Sequence, residues 1–253
     1  MQKLSQIIKV LESNAPLTLA EEWDNCGLIV GDSDAMIAKA LVCVDVTPAV
    51  VEEAVKNGCN LIVSHHPVIF GAIKRIGQDD LTGKIIMQAV KNDVNIYCMH
   101  TNLDCVTGGI NSKLAVELGL IDRDGKDCCW RTGKLNKPTS LRELVDKIVA
   151  ITGEKHVRTA GDLDANIDVV GICSGAGGRM DELIDEVLVP HGVQVFITAE
   201  VKHSLLLTLK DKAISLIELG HWTSERIAKN IIYDWLQGSI EVEKSQRDAD
   251  PYN

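Results

Sequence analysis

Short runs of consecutive aliphatic and β-branched residues, each followed by an amphipathic helical stretch, constrain this chain more than any other feature. Lys39–Val46 (KALVCVDV) reads as a strand and Thr47–Asn57 (TPAVVEEAVKN) as a helix, with Thr47 as its cap and Pro48 at its first position. Strand Asn60–Ser64, helix Asp79–Asn92, strand Asn95–His100 and helix Ile110–Leu118 continue the alternation. Unbroken apolar runs mark strands covered on both faces, and strand–helix alternation implies right-handed crossovers in a largely parallel sheet. Aromatic residues make up only 4% of the chain, so the core must be built mainly from Val, Ile, Leu and Ala.

After Leu120 the texture changes. IDRDGKDCCWRTGKLNKP is polar and broken by Gly and Pro, the composition of a domain boundary. Helix Leu141–Ala150 follows, and the rhythm resumes with strand Ile167–Cys173, the turn SGAGG and helix Arg179–Leu188. Strand Val193–Thr198, helix Val201–Leu209, strand Ala213–Leu219 and helix Ser224–Trp235 complete it. The expected organisation is therefore α/β: two similar domains, 1–125 and 126–253, with largely parallel or mixed sheets. The similar outline of the halves suggests a weak internal duplication, although alternating patterns resemble one another by default.

The formal net charge of −10 opposes non-specific binding to nucleic acid and to anionic membranes. The N-terminal stretch lacks the apolar core of a signal peptide, and no run approaches a membrane span. The eight cysteines form no CxxC pair, and several lie inside strand patterns as reduced packing residues. These features together suggest a cytoplasmic protein.

In open parallel sheets, ligands bind beyond the carboxyl ends of the strands. Three such ends carry a concentration of ligand-type side chains: Ser64-His65-His66-Pro67, His100-Thr101-Asn102-Leu103-Asp104 and Gly220-His221-Trp222-Thr223-Ser224-Glu225. His65, His66, Asp104, His221 and Glu225 have the chemistry for a pair of borderline divalent ions, because imidazole suits such metals and carboxylates can bridge them. Adjacent residues of a regular strand point to opposite faces, so His65 and His66 are expected in the turn after the strand, flanking two ions rather than serving one. Pro67 restricts that turn by biasing His66 towards extended backbone. Thr223 or Ser224 is expected to cap the following helix and to place Glu225 in its first turn, near His221. His100, a third histidine at the same sheet edge, is either a further ligand or, as the preferred reading, a residue behind the ligands suited to orientation or proton transfer. His156, His191 and His203 lack such company and read as surface or structural. SGAGGRM (Ser174–Met180) either presents backbone N–H groups to a phosphate or simply reverses the chain. Glu22–Leu28 (EWDNCGL) reads as a packing Trp with turn-forming Asp and Asn.

WDNCGLIVG, SHHPVIF, HTNLDCVTGGIN and GHWTSE, in this order and spacing, resemble the Nif-three-like dinuclear metal-centre family, whose members are known as GTP cyclohydrolase I type 2 homologues. The resemblance covers essentially the whole chain, in the layout of the short bacterial form. It implies two α/β domains with a dimetal site in the cleft between them, and a ring-shaped homohexamer built as a trimer of dimers. The family's metal-binding residues match His65, His66, Asp104, His221 and Glu225. One departure is Thr198-Ala199-Glu200 where the family has Thr-Gly-Glu. Alanine tolerates left-handed backbone poorly, which leaves room for a different turn while changing none of these residues.

The expected function is metal-dependent hydrolysis of a nucleotide-like or other phosphate-bearing small molecule, with two divalent ions (Zn, Fe, Ni, Mn or Co) per subunit. The alternative from a different class is a non-catalytic metal-binding or metal-handling scaffold, supported by the lack of a substrate-specific motif beyond the ligands. Partners are then other copies of the chain and a small molecule, with no membrane, and the negative charge disfavours nucleic acid.

Overall fold

The computed structural model describes residues 1–252 of the 253. The chain forms two compact units, Met1–Val106 with the segment from Arg226 onward, and Thr107–Glu225. In chain order the first unit contains β1 (Gln2–Lys3), α1 (Leu4–Asn14), β2 (Gly27–Val30), β3 (Met36–Ile37), β4 (Lys39–Cys43), α2 (Pro48–Lys56), β5 (Leu61–Ser64), α3 (Leu81–Lys91), β6 (Asn95–Cys98) and α4 (Thr101–Cys105). The second contains α5 (Ile110–Glu117), β7 (Leu120–Asp124), β8 (Arg131–Ser140), α6 (Leu141–Thr152), β9 (Arg158–Ala160), β10 (Asn166–Cys173), β11 (Val195–Ala199), α7 (His203–Asp211), β12 (Ser215–Leu219) and α8 (His221–Glu225). The chain then returns to the first unit through α9 (Ala228–Leu236) and β13 (Glu241–Lys244).

The first unit is built on a five-stranded sheet, β13-β4-β5-β6-β2. Its first four strands run parallel and β2 closes the edge antiparallel to β6. The second unit has a six-stranded sheet, β7-β8-β10-β11-β12-β9, in which β10, β11 and β12 are parallel and the other pairings antiparallel. Each unit therefore has three adjacent parallel strands at its heart, and both sheets are mixed. Each has a separate aliphatic core. Leu41, Ile62, Ile85 and Ile96 pack in the first, and Ile184, Phe196, Leu209 and Leu216 in the second.

Local chemistry explains several boundaries. The Thr47 hydroxyl accepts from the Val50 amide at the start of α2, and Asp80 does the same for Gly83 at the start of α3. Helix α6 begins in a reciprocal capping box between Ser140 and Glu143 and ends at left-handed Gly153. The stretch expected as helix Arg179–Leu188 is instead a tight turn, Gly175–Arg179, followed by a single wide turn, Ile184–Leu188. The glycine run holds the first of these against neighbouring strand ends, so a regular helix does not start there.

The division of the chain differs from the expected boundary at 125. The polar segment after Leu120 is not a linker, because β7 and β8 pair with each other and β8 pairs with β10 as part of the second sheet. The C-terminal segment lies with the first unit, because β13 covers what would otherwise be the open edge of β4. Lys39 pairs there with Glu241 and Glu243 at 3.2 and 3.0 Å. Beyond β13 the buried Asp248 carboxylate accepts from the Val44 amide at 2.7 Å and pairs with Lys229 of α9 at 3.1 Å. This ties the chain's end to the residues that leave β4. Asp248→Ala removes the acceptor of a buried amide and the carboxylate partner of Lys229, whose ammonium keeps the Ser245 and Asp248 carbonyls, so it is expected to lower stability by about 1–3 kcal/mol. A shift of the chemical-denaturation midpoint measures this, and an unchanged midpoint would contradict the assigned role.

Candidate metal centre

In the first unit the parallel strands β4, β5 and β6 each end in a polar group: Asp45, His65-His66 and His100. Past Ser64 the backbone keeps its pairing with the β4 side, since the His65 and His66 amides donate to the Cys43 and Val44 carbonyls at 3.1 and 2.9 Å. The Ser64 hydroxyl donates to the His66 carbonyl, and the Cys98 thiol donates to the His65 carbonyl. These bonds hold the turn in which the two rings come together, with centroids 4.9 Å apart. His100 joins them at 5.2 Å from His65 and 5.5 Å from His66.

Each ring is fixed at Nδ1. His65 Nδ1 donates to the Met99 carbonyl, His66 Nδ1 to Asp45 and His100 Nδ1 to Asp24, all at 2.8 Å. A carbonyl or carboxylate only accepts, so each neutral ring carries its proton on Nδ1 and its lone pair on Nε2. Metal-ligating histidines are held by this pattern of outer hydrogen bonds. The three rings offer nitrogens within 4.8 Å of one another, a set that could hold a metal ion. His65 is fully buried, and its Nε2 lies 3.8 Å from Oδ1 of Asp104, on the short helix α4 that His100 opens.

Asp24 is the most heavily used of the outer groups. Burial opposes its charge, but the hydrogen bond and charge of His100 and bonds from Thr101 and Cys26 hold its carboxyl well below the usual carboxylate range. Burial and the Asp24 carboxylate push the Cys26 thiol up to about 11. It is therefore a neutral thiol near pH 7 and not a nucleophile. Cys43, Cys98 and Cys173 at the strand ends are buried thiols, as the strand pattern led one to expect, whereas Cys105 and Cys129 are disulfide-bonded.

The second unit repeats the arrangement in outline. Its parallel strands β10, β11 and β12 end at Ser174, Glu200 and His221. His221 opens α8 and Glu225 closes it, so helical periodicity puts both on one face, with Nε2 and Oε2 3.0 Å apart. The expected cap at Thr223 or Ser224 is not used, because the helix begins at His221. His221 Nδ1 bonds Glu200 at 2.7 Å, and the other Glu200 oxygen pairs with Arg179 at 2.7 Å. The loop before His221 is held by Glu154, which accepts from the Gly220 amide at 2.9 Å.

The SGAGG turn shapes this wall. Gly175 has φ +58°, and a Cβ there would lie 1.9 Å from Oε1 of Glu225. Its amide donates to Ser224 Oγ at 3.0 Å, and the Ser174 amide donates to Asn111. The turn thus serves close approach to α8. The residue in the left-handed region after β11 is Glu200, at φ +51°, while Ala199 is the last residue of the strand. The alanine in Thr198-Ala199-Glu200 therefore meets no strain. Glu200 carries it, at the point where its carboxylate is aimed at His221.

The structure thus brings His65, His66, His100 and Asp104 together in one unit and His221 with Glu225 in the other. Sequence reasoning did not assign Asp45, Asp24 and Glu200 as the groups that orient the histidines. A signal existed for each: a lone carboxylate at a strand end or beside the WDNCG turn.

The chain matches the family model Duf34/NIF3 (NGG1p interacting factor 3) over residues 2–251. It belongs to the Duf34/NIF3 family. A Clostridium perfringens relative called GTP cyclohydrolase 1 type 2 homolog is 32% identical, covering 99% of this chain and 98% of its own. The Schizosaccharomyces pombe protein NIF3 homolog is 29% identical over 98% and 96%. Among solved structures, a Staphylococcus aureus hypothetical protein is similar with a TM-score of 0.89 and 26% identity, over 99% of this chain and 98% of that one. A Bacillus cereus protein related to NIF3 has a TM-score of 0.90 over 100% and 99%, and at 21% identity it shows the fold alone.

In metal-free protein, His65, His66 and His100 are expected as Nδ1–H tautomers, which long-range nitrogen–proton correlation spectra of the imidazoles read directly. A His65 ring protonated at Nε2 and not at Nδ1 would contradict its bond to Met99. Gly175→Ala combines left-handed strain of about 1–2 kcal/mol with a clash on Glu225. It should lower the thermal midpoint, whereas Gly192→Ala, also at positive φ but with open space around it, should lower it less.

Proposed function

We propose that this NIF3-family chain is a metal-dependent hydrolase that holds two divalent ions on His65, His66, Asp104, His221 and Glu225 and acts on a nucleotide-like or other phosphate-bearing small molecule. The observation that carries the reading is the tautomer-fixing bond at Nδ1 of His65 and His66, which leaves each Nε2 lone pair for a metal. The donor set suits the group: imidazoles with carboxylates favour Zn, Fe, Ni, Mn or Co over Ca or Mg. A bound divalent pair supplies Lewis acidity, which acidifies water and polarises the bond to be cut. Asp45, the Met99 carbonyl and Glu200 hold the imidazoles in orientation. His100, fixed through Asp24, has its second nitrogen available to hold or pass a proton next to the His65 and His66 rings.

The ring-shaped homohexamer implied by the resemblance and the cytoplasmic location suggested by the sequence features belong to the same proposal. Among the described residues no helix is long and apolar enough to cross a membrane. Light scattering on the purified protein tests the assembly.

His65→Ala and Glu225→Ala are expected to lose bound metal and hydrolysis together while keeping the circular-dichroism spectrum of the parent. Asp45→Asn and Glu200→Gln, which touch only the orienting groups, are expected to weaken metal affinity by about 10- to 100-fold. Elemental analysis with turnover assays on nucleotides and phosphoesters checks both. Turnover by a verified metal-free variant sinks the proposal. Tight metal binding without any turnover supports the scaffold reading instead.

A further inference from the structure

The chain has only two phenylalanines. Phe196 is buried in the second core, but Phe70 is 59% exposed, and beside it Trp23 is 57% exposed. The sequence pattern of Glu22–Leu28 suggested a packing tryptophan, and the structure leaves Trp23 largely exposed instead. Trp23 and Phe70 lie with ring centroids 5.6 Å apart, inclined by 40°. Both stand nearly edge-on to His100, at 6.1 and 6.0 Å with interplanar angles of 78° and 71°. Two large aromatic surfaces thus face solvent at the rim of the three-imidazole cluster.

Their position is built rather than incidental. The Asn25 side chain donates to the Ile69 carbonyl at 2.7 Å, linking the loop that carries Trp23 to the loop that carries Phe70. Asp24, between Trp23 and Asn25, accepts from the Asn25 amide and from His100. The aromatic pair and the histidine are therefore held in one network. Phe70, His66 and Asp45 also line a pocket of about 530 Å³, within the usual range for small-molecule sites.

We propose that Trp23 and Phe70 form a stacking subsite for a planar heteroaromatic ring, so that the small molecule brought to the metal centre carries a nucleobase-like ring. The proposal rests on the metal-centre reading above and narrows its substrate class. Aromatic side chains stack on any nucleobase because every base presents a π-face, and such stacking needs no positive charge from the protein. That suits a chain of net charge −10, with two carboxylates already beside the histidines. A ring stacked on the pair would sit next to His100, with its substituents directed along the His66 side towards the pocket.

The test uses metal-loaded full-length protein and isothermal titration calorimetry. The probes are the four ribonucleoside 5′-monophosphates, with ribose 5-phosphate as the ringless control. At least one nucleotide is expected to bind ten-fold or more tightly than ribose 5-phosphate. Trp23→Ala and Phe70→Ala should each raise its Kd roughly 5- to 150-fold, the effect of losing one base–aromatic stack. Trp23→Phe should retain most of the affinity. Metal content by elemental analysis should be the same in all variants. The proposal is overturned if no nucleotide outcompetes the ringless control, or if the alanine variants bind as the parent does. Failure of the metal-centre reading shows up separately, as protein without stoichiometric metal whether or not nucleotides stack on Trp23.

Discussion

A hydrogen bond at Nδ1 decides two things about an imidazole: where the ring points and which nitrogen keeps its lone pair. Four histidines of this chain are held in that way, through Met99, Asp45, Asp24 and Glu200. All four acceptors lie at or just beyond the carboxyl ends of parallel strands, or in the turn beside them. The arrangement depends on the sheets, because only parallel neighbours deliver their ends, and so their polar residues, to the same edge. Without the two aliphatic cores that fix strand positions, the acceptors would not meet the rings.

The two units reach this result with different parts. In the first, His100 opens a five-residue helix whose fourth position is Asp104. In the second, His221 opens a five-residue helix whose last position is Glu225. In both, a histidine and a carboxylate are four residues apart at the end of the third parallel strand, and in both a carboxylate holds the histidine at Nδ1. The likeness of the halves, faint in the sequence, is thus specific at the histidine and carboxylate that follow the third parallel strand. Glu200 shows what such placement demands. It adopts left-handed backbone, unfavourable for a residue with a side chain, where its carboxylate meets both His221 and Arg179.

Much of this was legible in the sequence. The β-branched runs gave the parallel strands because an unbroken apolar stretch has no other stable placement than between covering layers. The ligand-type residues were found because they cluster directly after those runs. What escaped had weaker local signals. The hairpin of β7 and β8 was hidden in polar, glycine-broken sequence, since β7, at the sheet edge, buries little beyond Leu120. The return of β13 to the first sheet left no mark, because a four-residue edge strand paired at long range depends on a partner far away in the chain. Asp45, Asp24 and Glu200 looked like ordinary turn carboxylates.

The sequence by itself determined the strand–helix rhythm, the aliphatic cores and the identity of the histidines and carboxylates at the strand ends, because these follow from local periodicity and side-chain chemistry. Only the tertiary structure decided which carboxylate holds which ring, that Gly175 clears space for Glu225, and that Trp23 and Phe70 stand exposed beside His100. Each of these is a meeting of residues distant in sequence. Hydrogen bonds and ring contacts depend on distances that a linear pattern does not encode.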